Sequence, residues 1–263
     1  MVVHSVARAT CCLLLLTFGR NPIAQTLPQP SAHKQVNKLT AIHTESTLHN
    51  LTHSINELQQ IPSWRAHNIT QPYNQLSVLY THAFPAQQEL NMLLETSALY
   101  SQSKALLPGI KSQQRAKTKI ATELNGHTNK LTDIVRGSLV CDNISDLIKT
   151  YDFIAQHASL LEVKNRFSAP AASGYRDIKM LVRLNNSGLV AEIQLHLEAI
   201  AEIKNGEEHD IYEMIQSIER LAMAQNRELN DIEQMKIKRL QQQSKALYVQ
   251  AWESYTTPLS LVS

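Results

Sequence analysis

Glycine is scarce, at 7 of 263 residues, and aromatic side chains make up only 5% of the chain. Neither GxxxxGK(S/T) nor GxGxxG occurs, so any triphosphate has to be held by side chains rather than by a glycine-rich cradle. Charge of one sign is lacking too. A formal net charge of +2 with 18% charged residues excludes a global basic field of the kind that drives nonspecific nucleic-acid binding, and leaves room only for local anion sites. Of three cysteines, Cys11 and Cys12 sit in an N-terminal apolar run; a chain cleaved after that run keeps Cys141 alone and has no intramolecular disulfide. Eleven histidines occur without an HExxH or a Cys/His cluster, so most read as surface residues rather than as a zinc site. Internal repeats and low-complexity tracts are absent, and the length suits one sizeable core.

What is present begins with a weakly positive start, an apolar run over residues 9–18 and small residues near Ala24, the layout of a secretory signal over residues 1–25. The run is too short to span a bilayer comfortably, and no integral membrane domain is expected. A mis-assigned start or a buried helix would give the same pattern. Export would make the chain secreted or periplasmic; otherwise it is cytoplasmic. Residues 25–34 are polar and Pro-containing and read as a linker.

Apolar residues recur at helical steps over residues 35–60 and 76–107, with interruptions expected near Pro62, Pro72 and Pro85. Pro108-Gly109 marks a stop. Residues 111–124 are basic and helical in pattern, 138–141 fit a short strand, and helix returns over 144–160. Residues 177–184 and 189–197 alternate on either side of Asn185-Asn186-Ser187-Gly188, which predicts a β-hairpin. Ile178, Met180, Val182 and Leu184 share one face of its first strand; Glu192, Gln194 and His196 share the polar face of its second. Residues 211–255 read as almost unbroken helix with an imperfect stripe of Ile218, Leu221, Leu229, Ile232, Met235 and Leu240, a packing helix that offers a route to a homo-oligomer.

Three parallel hydrogen-bonding groups at Glu192, Gln194 and His196 can line a site, although from periodicity alone an ordinary solvated sheet face is the commoner explanation. Asp133, at the entrance to another strand, supplies a second carboxylate, and two carboxylates at one end of a sheet suit Mg²⁺ bound to substrate phosphates. Lys111, Arg115, Lys117, Lys119 and Lys130 form a basic group that suits phosphate, against the commoner reading of a solvated helix.

The blocks KSQQRAKTKIA, LTDIVRGSLV, VKNRFSAPAASGYRDIKMLV, GLVAEIQLHL and GEEHDIYE stand in the order found in RelA/SpoT-type (p)ppGpp synthetases, and between Lys111 and Tyr212 the chain resembles that family, its single-domain and toxin-like members in particular. The resemblance implies an α+β fold with a mixed nucleotidyltransferase-like sheet over residues 109–213, preceded by a linker and helical region over 26–108 and followed by a helical extension over 214–263. It also implies transfer of the β,γ-pyrophosphate of ATP to the ribose 3′-hydroxyl of GDP or GTP with Mg²⁺ as cofactor. Adenosine nucleotides and the 3′ end of tRNA are alternative acceptors, the latter with a basic track of Lys236, Lys238, Arg239 and Lys245.

In that scheme Asp133 and Glu192 bind the metal and Glu192 assists deprotonation of the attacking hydroxyl. Tyr175 stacks on the acceptor base, while Arg115 with Lys117 or Lys119 clamps the ATP phosphates. Lys179, Gln194 and His196 complete the nucleotide contacts. Three positions depart from the commoner family pattern: Lys179 replaces a histidine, and His196 and Ser138 replace arginines. They point to a shifted acceptor; a noncatalytic module that keeps the fold is the other outcome. No HD-type motif precedes the blocks, which implies no companion hydrolase.

Overall fold

The two alternating runs form the expected hairpin. In the computed structural model, which describes residues 32–257 and the side chains of residues 46–257, β5 (Ile178–Arg183) and β6 (Val190–Leu197) pair antiparallel with Lys179 opposite Gln194 and Leu181 opposite Glu192. Gly188 takes φ +67° in the turn, a conformation glycine reaches without a Cβ penalty. The turn is held from outside as well: the amides of Asn186 and Ser187 donate to the carboxylate of Glu89 at 2.7 and 2.9 Å.

Around this hairpin the described residues build a mixed six-stranded sheet in the order β1-β4-β5-β6-β3-β2, where β1 is Trp64–Arg65, β2 Lys104–Leu106, β3 Val135–Cys141 and β4 Ser159–Asn165. β3 runs parallel to β6 and aligns Arg136 with Glu192 and Ser138 with Gln194; the other pairings are antiparallel. Because side chains alternate, Val135, Gly137, Leu139, Met180, Val182, Ile193 and Leu195 share one buried face. Helices α2 (Leu76–Ser101) and α4 (Ile144–His157) cover it. The opposite face carries Arg136, Ser138, Glu192, Gln194 and His196.

The remaining helices are α1 (Ala32–Gln60), α3 (Gln113–Thr122), α5 (Glu198–Asn205), α6 (Glu207–Ala224) and α7 (Asp231–Thr256), and a 3-10 turn spans Thr128–Lys130. The chain divides into a unit ending at Ile42, whose described part is the start of α1, and a unit beginning at His43 that holds all the other elements. The segment read as an export signal lies outside the described residues. Helix already begins at Ala32, inside the segment read as a linker.

Several expectations change. Helix α2 runs without a break through Pro85. Pro85 is exposed, where water can serve the carbonyl it frees, while Ala83, Ala86, Leu90 and Leu94 bury the other side and outweigh the local loss. The same helix stops at Ser101, short of 107, and chain beyond it becomes β2. Strand β3 starts at Val135 rather than 138, and α4 ends at His157, so that Ser159 and Leu160 open strand β4 instead of closing the helix.

The long C-terminal helix is two helices. Asn226 turns the chain at φ +49°, and Asn230 starts α7 with a capping box in which Asn230 accepts from the amide of Glu233 and the Glu233 side chain accepts from the amide of Asn230. The apolar stripe shifts accordingly. Ile232 and Met235 are 80% and 73% exposed, and Ile237, Leu240, Ser244, Tyr248 and Ala251 form the buried face of α7. Among the described residues no helix is long and apolar enough to cross a membrane.

Candidate active site

Ser112 caps α3 by accepting from the amide of Arg115 at 3.4 Å, so Lys111 stands just before the helix and Lys119 two turns along it. Both lysines donate to one oxygen of Asp133: Lys111 Nζ lies 2.7 Å and Lys119 Nζ 2.8 Å from Oδ2. Burial by itself would raise the Asp133 pKa; the two ammonium groups outweigh burial and hold it below the usual carboxylate value. The other oxygen, Oδ1, is buried without a hydrogen-bond partner. As an unfilled hard donor it fits a cation. Among the described residues no three His, Cys, Asp or Glu side chains gather as a cage, so Mg²⁺ would need phosphate and water oxygens to complete its shell, as that ion usually does. Lys117 is exposed and pairs with no described carboxylate.

On the open face of the sheet a cleft of about 610 Å³ is lined by Arg115, Arg136, Ser138, Glu192, Gln194 and Lys204 among others. Gln194 Nε2 donates to Glu192 Oε1 at 2.9 Å. The backbone of Arg136 is clamped by the Gln87 side chain, which donates to its carbonyl at 3.0 Å and accepts from its amide at 3.2 Å. Arg136 Nε is buried without a partner.

A second cavity of about 350 Å³ takes in Tyr175, Tyr212, Tyr248, His209 and Glu208, and shares Lys204 and Asn205 with the cleft. Gly174, at φ +83°, lets the chain pass close to α7: a Cβ there would lie 3.3 Å from the Tyr248 Cβ. Tyr175 Oη donates to Asp177 Oδ2 at 2.8 Å and Arg166 Nη1 donates to Oδ1 at 2.5 Å. Burial, then the Asp177 charge and hydrogen bond, raise the Tyr175 pKa, so the phenol stays protonated. His196 is buried at 2% exposure, and burial, with Lys204 and Arg166 adding repulsion, lowers its pKa to about 3. It is a neutral imidazole with Nδ1 3.4 Å from Tyr175 Oη and Nε2 3.5 Å from Lys204 Nζ.

Of the residues picked from sequence, Arg115, Glu192 and Gln194 meet in the cleft, Tyr175 lines the adjoining pocket, and Asp133 and Lys119 form the ion cluster beside α3. Lys179 lines neither cavity; its ammonium pairs with Glu162 at 3.0 Å. Arg136, Asp177, Lys204 and Glu208 went unpicked. Arg136 and Asp177 each lie inside a motif block and carry a visible charge. Lys204 lies outside every block, and only the fold of α5 brings it to the site.

No protein-family model matches the chain, and no curated protein matches it. Solved structures do. The type VI effector Tas1, determined in complex with its immunity protein, is 17% identical over 67% of this chain and 96% of its own, with a TM-score of 0.50. A GTP pyrophosphokinase family protein from Streptococcus pneumoniae is 16% identical over 67% and 91%, with a TM-score of 0.48. Small alarmone synthetase 2 from Bacillus subtilis is 20% identical over 71% and 96%, with a TM-score of 0.45. At 17% identity the likeness to the Tas1 effector is one of fold, an α+β architecture that the two chains share.

Proposed function

We propose that this chain is an ATP-dependent pyrophosphokinase that transfers the β,γ-pyrophosphate of ATP to a ribose 3′-hydroxyl, that of GDP or GTP in the first place. One observation carries the reading: the cleft holding Glu192, Arg115 and Arg136 shares the wall of Lys204 and Asn205 with a pocket of three tyrosines. A cationic cleft suits a triphosphate, an aromatic pocket suits a base, and a carboxylate stands in the cleft beside their common wall.

In the reaction the 3′-oxygen of the acceptor attacks the β-phosphorus of ATP, the bond from that phosphorus to the α,β-bridging oxygen breaks, and AMP leaves. Glu192 takes the hydroxyl proton. Arg115 and Arg136 stabilise the charge on the transferring group, and Arg136 does so with a backbone already fixed by Gln87. Asp133 and Glu192 would hold Mg²⁺, which when bound neutralises phosphate charge. As triphosphate enters, Lys111 and Lys119 can pass from Asp133 to the phosphates, which frees the carboxylate for the ion. Tyr175 offers its ring to the acceptor base while Asp177 and Arg166 fix its orientation.

The test is incubation of the chain with γ-labelled ATP, Mg²⁺ and, in parallel, GDP, GTP, ADP, ATP and bulk tRNA, with Glu192→Gln as control. Label on one acceptor that disappears in the variant is expected. Label on none, with Glu192→Gln keeping the full biological effect, overturns the reading in favour of a binding module.

One observation favours tRNA as the acceptor. Lys236, Lys238, Arg239 and Lys245 are all exposed on α7, and the backbone of Lys245 abuts Gly174, next to Tyr175. Charge reversal at the four positions should then weaken tRNA binding and flatten its salt dependence. Unchanged binding eliminates that acceptor.

A further inference from the structure

Lys204 is a cation without a counter-ion. Its Nζ donates to Gln194 Oε1 at 2.8 Å and lies 3.5 Å from the neutral His196 ring, yet no described carboxylate comes within 4 Å of it. Asp177, Glu192 and Glu208 act on it only from farther away, and Arg166 repels it. Burial lowers its pKa. An ammonium taken partly out of water with only neutral partners carries an uncompensated desolvation cost, which an anion brought by a ligand would offset.

Its place says which ligand. Nζ stands 5.6 Å from the centre of the Tyr175 ring, and the side chain borders both the tyrosine pocket and the cleft. A base against Tyr175 and a phosphate on Lys204 are within the span of one nucleotide. Arg115 and Arg136 lie along the cleft and not in the tyrosine pocket. They are available to the donor, which leaves Lys204 as the cation of the acceptor pocket. Resting on the pyrophosphokinase reading for the word acceptor, we propose that Lys204 binds the 5′-phosphate of the nucleotide whose base occupies the tyrosine pocket, and so selects phosphorylated acceptors over nucleosides.

Calorimetric titration tests this without turnover. The full chain and Lys204→Met are titrated with GDP, guanosine, ADP, adenosine and a nonhydrolysable ATP analogue. The unmodified chain should bind one diphosphate at least about tenfold more tightly than its nucleoside, as expected for a charge-assisted hydrogen bond. Lys204→Met should erase that preference and leave nucleoside affinity unchanged, and Lys204→Arg should restore much of it. An unaltered diphosphate-to-nucleoside ratio in Lys204→Met overturns the proposal. So does a loss confined to the ATP analogue, or a chain that binds no acceptor at all. A retained preference that depends on Lys204, in a chain that transfers no label, would sink the enzymatic reading and leave this binding role standing.

Discussion

Lys111 and Asp133 form an ion pair at 2.7 Å in which each side chain is only 8% exposed, and the Lys111 amide donates to the carbonyl of Ile134 at 2.9 Å. The segment before α3 is thus tied to the entrance of β3 by backbone and by charge. A buried pair adds little stability as a whole, but removing one partner strands the other. Asp133→Asn leaves the ammonium groups of Lys111 and Lys119 without their anion, and should lower unfolding stability by roughly 3 kcal/mol in a urea titration. Lys117→Ala, at an exposed position of the same helix, should stay within about 0.5 kcal/mol. Equal effects of the two would mean that the cluster does not hold these elements together.

Gly137 and Leu94 set how closely α2 lies on the sheet. A Cβ at Gly137 would stand 2.3 Å from Leu94 Cδ1, and Leu94 is fully buried, so it has no free space to move into. Gly137→Ala should cost about 1–3 kcal/mol through overpacking. Leu94→Ala opens a cavity and should cost about 2–5 kcal/mol. The added methyl partly fills that cavity, so the double variant should lose less than the sum of the singles; strict additivity in thermal or chemical unfolding would contradict the contact.

The central hairpin is legible in the sequence because alternation fixes both faces, and Asn185 to Gly188 supply the turn. Strands β1 and β2 are too short to carry a period. Strand β4 follows α4 after a single residue, and Leu160, Leu161 and Val163 suit a continuing helix as well as a strand. The break between α6 and α7 is written in Asn230 and Glu233, a capping box hidden among good helix formers. The site divides in the same way. Asp133, Tyr175 and Glu192 sit in the blocks that carry the family resemblance, and it is the resemblance that implies their roles. The roles of Arg136 and Lys204 arise only when parallel pairing sets Arg136 beside Glu192 and when α5 folds back over Gln194.

His196 gives a pH signature. With its pKa lowered from 6.5 to about 3, the native chain refuses a proton that the unfolded chain accepts. Its contribution to stability is therefore complete above pH 6.5 and is lost as pH drops towards 3, at up to about 1.4 kcal/mol per pH unit. Asp133, whose pKa is depressed, adds its own loss only below its unfolded value of 3.8. His196→Asn, which cannot titrate, should flatten the decline between pH 6 and about pH 4 in denaturant titrations. An unchanged slope would mean that His196 is protonated in the native chain.

Tyr175 offers a ring to the pocket and a hydroxyl to Asp177, and the two can be separated. Tyr175→Phe keeps the ring but deprives Asp177, itself fully buried, of one of its two side-chain donors, leaving Arg166 alone to satisfy it. Stability should fall by about 1–3 kcal/mol, the penalty for a buried acceptor left without its donor. Acceptor affinity should change little, because stacking depends on the ring. Tyr175→Ala removes both, and its added effect on acceptor affinity, about tenfold or more, measures the stack. If Tyr175→Phe weakens acceptor binding as much as Tyr175→Ala does, the hydroxyl and its hold on Asp177 orient the pocket, and the ring face is not where the base rests.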